Sequence, residues 1–390
     1  MQASFAIIVL TASQSSKESK KILKELEMSE YYNSAYNFAS GGGFNADFKV
    51  AAGFDGFLDS IAKPIRFSAQ GAEEYFPTIS SFGEYIASKA SLSCSIELKR
   101  QTVKVGGNMP IYVSALSAFG CRSNCIGAFG YPNIHDMFLS LGDNIAVTSV
   151  SDAGVCSALE FNDGKVMLAD NGGTNLIDYA LLLEIVGKNG LVDWLDNADA
   201  LALLNWSELP GMTSVWNGLL KEVLPSTNFG SKKLLLIDVS DCSKRSADDI
   251  RAMAEMTKQF SSYFTVVFSL NQNECTAICS ALGLDGASTL SGALASHILV
   301  LHVLDGAFIY SAGIDEFVPT EKVEKPMTLT GGGDNFNAGL TLALLAGMSP
   351  CEATAVGNAA SNFYVLNGRS ASMHELLSNI KRIGGYYEKS

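Results

Sequence analysis

Basic residues, histidines and long apolar runs are all scarce in this sequence of 390 residues. It has 27 Lys and Arg against 40 Asp and Glu, a formal net charge of −13, and 4 histidines. A surface this acidic repels nucleic acid and anionic membranes, so neither is expected as a partner. No run approaches the ~20 apolar residues of a membrane-spanning helix. An anionic substrate would therefore need a local positive feature.

The 8 cysteines lack the spacing of a metal site or a disulfide framework. The closest pairs, Cys121 with Cys125 and Cys275 with Cys279, have no histidine nearby. Reduced, buried thiols are favoured, which predicts a reducing, cytoplasmic location. The apolar stretch Phe5–Leu10 follows no basic residue and is short for a secretory signal, so a signal peptide is the less favoured alternative.

What the sequence does contain is an alternation of apolar strands and amphipathic helices. Hydrophobic residues make up 47% and charged residues 17%, as in a compact globular protein. The strand-like runs are 49–54, 124–129, 198–205, 234–239, 263–269 and 297–303. Helical patterns between them cover 109–119, 213–223, 247–260 and 273–282. This order predicts an α/β fold with a doubly wound, mostly parallel sheet flanked by helices.

Two internal stretches depart from this alternation. In Gly154–Ala169, two strand-like runs flank Asn162-Asp163-Gly164, which predicts a tight hairpin. The segment Ser60–Val105 has little helical patterning. We expect a small β lid with strands from within 60–105 and 154–170.

The N-terminal residues 1–48 look separate from the predicted main domain, 49–390. They contain a Lys-rich amphipathic segment, KESKKILKELEM, followed by the glycine-rich ASGGGFN. This pattern predicts an extension made of one helix and a flexible linker.

Three consecutive glycines precede a predicted apolar helix. Gly331, Gly332 and Gly333 run directly into Asp334, which we predict as the N-cap of the helix. Bare amides at a helix N-terminus favour an anion such as a transferring phosphoryl group. A carboxylate there repels phosphate unless it accepts a proton from a hydroxyl, which predicts a general base. The alternative, a capping residue after a flexible turn, fits the isolated motif equally well.

Around these glycines the sequence resembles the ribokinase-like (PfkB) carbohydrate kinases. Their late signature, D-T-x-G-A-G-D-x-F-x-x-G, reads TLTGGGDNFNAG here, with Thr328 and Leu329 in place of Asp-Thr. The early signature, G-G-x-x-x-N-x-A-x-x-x-A-x-L-G, reads GGNMPIYVSALSAFG, with Ile111 at the usual Asn. The resemblance covers Lys49 to about Ile383 and implies a ribokinase-like fold with a small β lid.

The resemblance also implies roles for residues between the signatures. Asn271 and Glu274 match an N-x-x-E pair that helps organise magnesium, although an ordinary helix N-terminus has the same pattern. Asp55 and Asp59 both qualify as the family's substrate-binding aspartate, since a carboxylate accepts hydrogen bonds from neighbouring sugar hydroxyls. A capped turn is the alternative for each. The backbone contacts to the same sugar would come from Gly106, Gly107 and Asn108.

The nucleotide-binding region departs most from the family. Its T-x-G-x-x-G pattern is LHVLDGAF here, in which only Gly306 is retained and Leu301 and Val303 replace the usual residues. Asn358 lies where the family lines the adenine pocket. These residues are the sequence's candidates for nucleotide binding.

Together these motifs predict an ATP-dependent, magnesium-requiring kinase that phosphorylates a hydroxyl of a sugar or sugar-like small molecule. Asp334 would accept the proton while the glycine amides stabilise the developing charge. The altered nucleotide motif leaves one alternative open, a catalytically weakened sensor that binds a sugar or nucleoside. A dinucleotide-dependent dehydrogenase is disfavoured, because no G-x-G-x-x-G follows the first strand. The resemblance also allows a homodimer formed through the lid strands.

Overall fold

The main sheet of the computed structural model is large and mostly parallel. The structure describes residues 30–44, 47–69, 72–328 and 330–386. The strands are β1 (Lys49–Phe54), β2 (Phe57–Ala69), β3 (Ala72–Tyr75), β4 (Leu98–Gly106), β5 (Arg122–Ala128), β6 (Ile145–Ser151), β7 (Gly154–Phe161), β8 (Gly164–Asp170), β9 (Ala200–Leu204), β10 (Lys233–Asp238), β11 (Phe264–Asn271), β12 (Ile298–Val303), β13 (Gly306–Ser311) and β14 (Ile314–Pro319). Nine of them form the main sheet, in the order β14-β13-β12-β11-β10-β9-β1-β5-β6.

The strand order of this sheet reverses beside β1. β1 pairs in parallel with β5 on one side and with β9 on the other. All pairs from β6 to β12 are parallel, and only β13 and β14 run antiparallel at one edge. Ligands of doubly wound sheets bind at such a reversal, outside the carboxyl ends of the strands. The observed order therefore places a candidate site at the carboxyl ends of β1 and β9.

Helices cover both faces of the main sheet, except α2, which packs on the smaller sheet through Phe82 and Phe161. The helices are α1 (30–38), α2 (Ile79–Ser88), α3 (Asn108–Ala118), α4 (Asp136–Leu139), α5 (Tyr179–Ile185), α6 (Gly187–Asp196), α7 (Met212–Gly218), α8 (Ala247–Phe260), α9 (Gln272–Leu282), α10 (Ala287–Leu294), α11 (Gly332–Leu345), α12 (Pro350–Asn367) and α13 (Met373–Tyr386). Short 3₁₀ or π segments occur at Ala39–Gly43, Gly172–Leu176, Leu219–Val223, Leu224–Ser226 and Cys242–Lys244.

Two hydrophobic cores lie against the two faces of the sheet. One contains Trp216 of α7 and Phe260 of α8, together with side chains of α5, α6, α9 and α10. The other contains Tyr112 of α3 and Leu340 of α11, together with side chains of α1, α12 and α13. Strands buried on both faces are continuous apolar runs, as the sequence showed. The predicted α/β class, doubly wound with flanking helices, is confirmed.

A smaller, separate sheet of five strands rises from the candidate site. β2 pairs with β3, β4 and β7, and β8 extends β7. The predicted hairpin is present, because β7 and β8 pair antiparallel up to Phe161 opposite Gly164. β2 begins two residues after Asp55, and β4 ends at Gly106, directly before α3. We call this five-stranded sheet the lid. Its strand β2 begins, and its strand β4 ends, beside the edge of the main sheet where β1 ends.

The N-terminal segment packs against the main core instead of standing apart as a linker. Tyr32 and Ala35 are fully buried, and Ala39 is nearly so. The Tyr32 hydroxyl donates a hydrogen bond to the Pro319 carbonyl at 3.2 Å. The glycine-rich ASGGG, predicted to be a flexible linker, forms a helical turn at Ala39–Gly43 because the apolar stripe before it holds it on the core. The predicted Lys-rich helix lies outside the described residues.

Among the described residues, no single helix combines the length and the apolar composition that crossing a membrane requires. One sharply bent pair, Gln272–Leu282 with Ala287–Leu294, meets both criteria when its members are taken together.

Candidate active site

Polar side chains gather where five neighbouring strands of the main sheet end. Asp55 follows β1, and Asn205 follows β9. Asp238 and Asn271 are the last residues of β10 and β11, and His302 is the last but one of β12. Because parallel strands end at the same edge, the sheet brings together residues that are up to 247 positions apart, from Asp55 to His302.

Asp55 joins β1 to the N-terminus of α3. Its carboxylate accepts hydrogen bonds from the backbone amides of Asn108 (2.7 Å) and Met109 (2.9 Å). A third comes from the side-chain amide of Asn205 at 2.9 Å. Burial raises the pKa of Asp55, and these hydrogen bonds oppose the rise. A carboxylate accepts about four hydrogen bonds, so Asp55 retains capacity for one more.

Asp59 and Asp55 both contact the paired glycines before α3. A side chain at Gly106 would collide with the Asp59 carboxylate. A Cβ at Gly107, where φ is +93°, would lie 2.7 Å from Asp55 Oδ2. Burial raises the pKa of Asp59, while the charges of Lys104 and Lys165 in the lid act in the opposite direction. The predicted sugar-binding residues are therefore neighbours in space.

The glycine turn begins α11 earlier than the sequence indicated. Gly331 is the N-cap, with φ +96°, and the helix starts at Gly332, so the prediction of Asp334 as the N-cap is wrong. A Cβ at Gly331 would lie only 2.6 Å from the Tyr364 hydroxyl of α12. Glycine alone fits this turn, and the chain becomes helical directly after it. Asp334 is consequently the third residue of α11.

Asp334 lies inside the cluster, with 7% of its surface exposed. Burial raises its pKa well above the usual value, and the negative charges of Asp238 and Asp55 raise it further. A hydrogen bond with the Asn108 side chain opposes this shift. The carboxylate thus lies between Asn108 and the first turn of α11, whose amides have no intrahelical partner.

Asp238, at the end of β10, was not among the predicted site residues. Its carboxylate accepts hydrogen bonds from the Asn337 side chain of α11 at 2.7 Å and from the Ser240 amide at 3.0 Å. Burial raises its pKa to about 6, and the charge of Asp55 adds to the shift. The available signal was its position as the last polar residue of a predicted strand, LLLIDV.

Asn271 and Glu274 form a capping box at the start of α9. The Asn271 side-chain oxygen accepts the amides of Asn273 (2.9 Å) and Glu274 (3.0 Å). Glu274 accepts the Asn271 backbone amide at 2.8 Å and its side-chain amide at 2.6 Å. The pKa of Glu274 is raised to about 8. Burial is the main cause, and the negative charge of Asp238 adds to the shift. The pair therefore has the helix-capping geometry and lies near the site's other carboxylates.

The donor set suits a hydrated magnesium ion better than a directly chelated one. Within the described ranges, no three His, Cys, Asp or Glu side chains are grouped to hold a metal directly. The site nevertheless offers oxygen donors, and the buried side-chain oxygens of Asn205 and Asn337 have no hydrogen-bond partner. Mg²⁺ prefers oxygen ligands and retains several waters, so these groups fit an ion held mainly by water and phosphate.

Gly306 and Asn358, the predicted nucleotide contacts, meet at Val318 of β14. A side chain at Gly306 would collide with the Val318 carbonyl. The Asn358 side-chain amide donates to the same carbonyl at 3.1 Å. Their nucleotide role stays a prediction.

Two cavities lie outside this cluster. A cavity of about 760 Å³, lined by Thr265 and Ile298 among others, lies at the amino ends of β11 and β12. Another of about 430 Å³ lies between Leu58 of the lid and Asp152, beyond β6. The polar cluster at the carboxyl ends of the strands is the better candidate site, because the titratable groups are gathered there.

A family model described as prokaryotic ketohexokinase matches residues 44–382. The chain belongs to the prokaryotic ketohexokinase family. A ketohexokinase of Haloferax volcanii is 28% identical over 338 residues, covering 84% of this chain and 89% of the relative. The predicted membership of the PfkB carbohydrate kinases is confirmed.

Solved structures of ribokinases share the fold of this ketohexokinase-family chain. The Thermotoga maritima ribokinase has a TM-score of 0.59 and 16% identity, covering 86% of this chain and 99% of the other. The Arabidopsis thaliana ribokinase, solved with ribose and ATP, has a TM-score of 0.56 and 15% identity, with coverage of 86% and 99%. Family membership makes the protein a carbohydrate kinase with ATP as its co-substrate.

Proposed function

We propose that the protein transfers the γ-phosphoryl group of ATP to a hydroxyl of a ketohexose, with Asp334 as the general base. The observation that carries this proposal is the position of Asp334 in the first turn of α11, beside the glycine turn and next to Asn108. The ketohexose acceptor is proposed from the name of the Haloferax relative.

The sugar binds between the lid and the carboxyl end of β1. Asp55 and Asp59 accept hydrogen bonds from its hydroxyls, and the bare backbone of Gly106 and Gly107 allows the ring to approach closely. Asn108 binds the sugar next to Asp334. The bond between Asn108 and Asp334 couples sugar binding to the orientation of the base.

Asp334 accepts the proton of the attacking hydroxyl as the bond to phosphorus forms. Its raised pKa makes the ionised carboxylate a stronger base than an exposed aspartate. The amides of Gly331, Gly332 and Gly333 donate hydrogen bonds to the phosphoryl oxygens, where the dipole of α11 also favours negative charge. Positioning of the two reactants supplies most of the rate.

Asn271 and Glu274 would hold water molecules of a magnesium ion at the carboxyl end of β11. The ion, when bound, neutralises part of the triphosphate charge. Gly306 begins β13 and Asn358 contacts β14, and both line the part of the site that binds the nucleotide. In the lid, exposed Val155, Met167 and Leu168 of β7 and β8 would supply the contacts of a homodimer, which also stays a prediction.

The first test replaces the base without changing its shape. Asp334→Asn is expected to lower kcat by at least about 100-fold, because general-base catalysis contributes that much or more. The measurement is ADP release with a ketohexose, ATP and magnesium. Asp248→Asn is the matched control, since it removes the same charge from an exposed position.

Near-normal turnover by Asp334→Asn would remove the proposed role of this residue. If the wild-type protein binds a sugar but releases no ADP with any ketohexose, the weakened-sensor alternative replaces the kinase proposal. The altered nucleotide motif at Leu301 and Val303 is the feature that motivates this second outcome.

A further inference from the structure

His302 lies in the candidate site and has no role in the proposed mechanism. It lies near the end of β12, opposite Asn271 of β11 in the parallel register. Its ring packs on Phe336 of α11, with ring centres 5.4 Å apart. Among the described residues, no hydrogen-bond partner occurs for either ring nitrogen, and neither nitrogen is sealed from solvent.

The same ring lies beside the glycine turn. A Cβ built on Gly333 would be 3.6 Å from His302 Cε1 and 3.8 Å from Nε2. An anion held on the turn amides therefore comes within reach of an imidazole N–H. Phe336, one turn into α11, also packs against this ring and holds its orientation. His302 is thus held in place by packing while its polar atoms have no protein partner.

We propose that His302 donates a hydrogen bond from Nε2 to a phosphate oxygen of the nucleotide bound at Gly331–Gly333. This inference rests on the proposed function, because it assigns a phosphate contact within that site. It makes His302 a nucleotide-binding residue supplied from β12, where this chain has Leu301 and Val303 in place of the family's threonine and glycine.

A neutral imidazole suits this position. Burial lowers the pKa of His302 to about 4, so the ring is uncharged at neutral pH and still carries one N–H donor. An uncharged donor avoids an unpaired buried charge in the protein before a phosphate binds. When phosphate arrives, the donor gains a charged acceptor, and such hydrogen bonds are stronger than neutral ones.

Packing on Phe336 is the competing explanation for a histidine here. Two substitutions separate the roles, because each keeps one property of the imidazole and removes the other. His302→Phe keeps an aromatic ring against Phe336 and removes the donor. His302→Gln removes the ring and keeps an amide N–H near the position of Nε2. His374→Leu is the control for loss of a histidine, since His374 is exposed on α13.

The readouts are the dissociation constant for a non-hydrolysable ATP analogue with magnesium by calorimetry, without sugar, and the separate KM values for ATP and for the ketohexose. His302→Phe is expected to weaken binding of the analogue and raise the KM for ATP roughly tenfold or more, as for one lost bond to a charged group. His302→Gln should stay within about threefold of wild type, and the sugar KM should be unchanged in both. The melting temperature checks that each variant is folded, and His302→Leu replaces His302→Phe if the latter is not.

Wild-type affinity for the ATP analogue in the folded donor-free variant would overturn the inference. So would a His302→Gln variant that is as weak as His302→Phe, or a sugar KM that rises as much as the KM for ATP. These results leave the proposed function intact as long as the wild type turns over. A wild type that neither binds the ATP analogue nor releases ADP with any ketohexose overturns the proposed function, and the inference falls with it.

Discussion

At the scale of single residues, the site is a group of buried carboxylates, in which neighbouring charges add to the raised pKa values of Asp238 and Asp334. Asp55, Asp238 and Asp334 are almost completely buried, and for each of them burial is the main cause of a raised pKa. Asp238 is the largest electrostatic contributor to the shift of Asp334. The Asp238 carboxylate also accepts a hydrogen bond from Asn337 of α11, the helix that carries Asp334. Asp238 is therefore expected to tune the base and to position its helix.

Asp238→Asn should move the acid limb of the kcat/KM profile to lower pH. Removing this negative charge lowers the pKa of Asp334, so the base stays ionised at lower pH. A weaker base also transfers protons less effectively, so the plateau should fall several-fold. The hydrogen bond to α11 can persist, because a rotated Asn337 amide would offer its unpartnered oxygen to the new side chain.

The measurement is kcat/KM for the sugar at pH values from 5 to 9, at saturating ATP and magnesium. Asp248→Asn changes the net charge equally and should leave the profile in place. An acid limb that stays in place, or moves to higher pH, in Asp238→Asn would contradict the proposed coupling between these two carboxylates.

At the scale of elements, the glycine turn depends on the contact between α11 and α12. Gly331 has φ +96°, and its missing side chain leaves room for the Tyr364 hydroxyl. Gly347, after the other end of α11, also has a positive φ, of +88°, but no atom lies within 4 Å of a Cβ built there. Both glycines therefore need a positive φ, but only at Gly331 would a side chain also collide with a neighbouring residue.

Gly331→Ala is expected to cost more stability than Gly347→Ala and to lower activity as well. A left-handed residue with a side chain costs roughly 1–2 kcal/mol, and both variants pay that cost. Only Gly331→Ala must also displace Tyr364, which should add roughly 1–3 kcal/mol, as overpacking does. Urea denaturation of both variants measures the difference, and kcat for Gly331→Ala should fall because the amides move. Equal losses of stability would show that Tyr364 does not constrain the turn.

The elements show how far the sequence alone reaches. β1 was predicted at its observed bounds because a parallel strand buried on both faces is a continuous apolar run. The antiparallel edge strands β13 (GAFIYS) and β14 (IDEFVP) were not among the predicted strands, and in β14 the adjacent Asp315 and Glu316 interrupt the apolar run. The start of α11 was misplaced because a glycine N-cap provides no side-chain signal, and Asp334 offered a conventional one.

The site was predictable only where a motif named it. The glycine turn, Asp55, Asp59 and the capping box were found from their sequence patterns. Asn205, Asp238 and His302 were missed as a group, because their proximity depends on the order of β9, β10 and β12 in the sheet. Strand order is set by long-range packing and is not encoded in any short segment.

At the scale of the whole molecule, the buried carboxylates link the stability of the fold to pH. Asp238 has a folded pKa of about 6 against an ordinary value of 3.8. A raised carboxyl pKa contributes stability that is fully present below the unfolded pKa and is lost as pH rises through the folded one. His302 acts in the opposite direction, because burial lowers its pKa to about 4 and its contribution to stability grows as pH rises towards 6.5. The net slope of the wild type therefore combines opposing contributions.

Comparison of Asp238→Asn with wild type removes the contribution of Asp238 together with its effect on neighbouring carboxyls such as Asp334, while the histidine is common to both proteins. The free energy of unfolding of the variant, relative to wild type, should increase between pH 4 and pH 8. A shift from 3.8 to about 6 corresponds to on the order of 2–3 kcal/mol. Urea denaturation at several pH values without magnesium measures it, with Asp248→Asn as the exposed counterpart. A difference independent of pH would mean that Asp238 ionises in the folded protein as easily as in the unfolded chain, and that its burial is compensated by the bonds from Asn337 and Ser240.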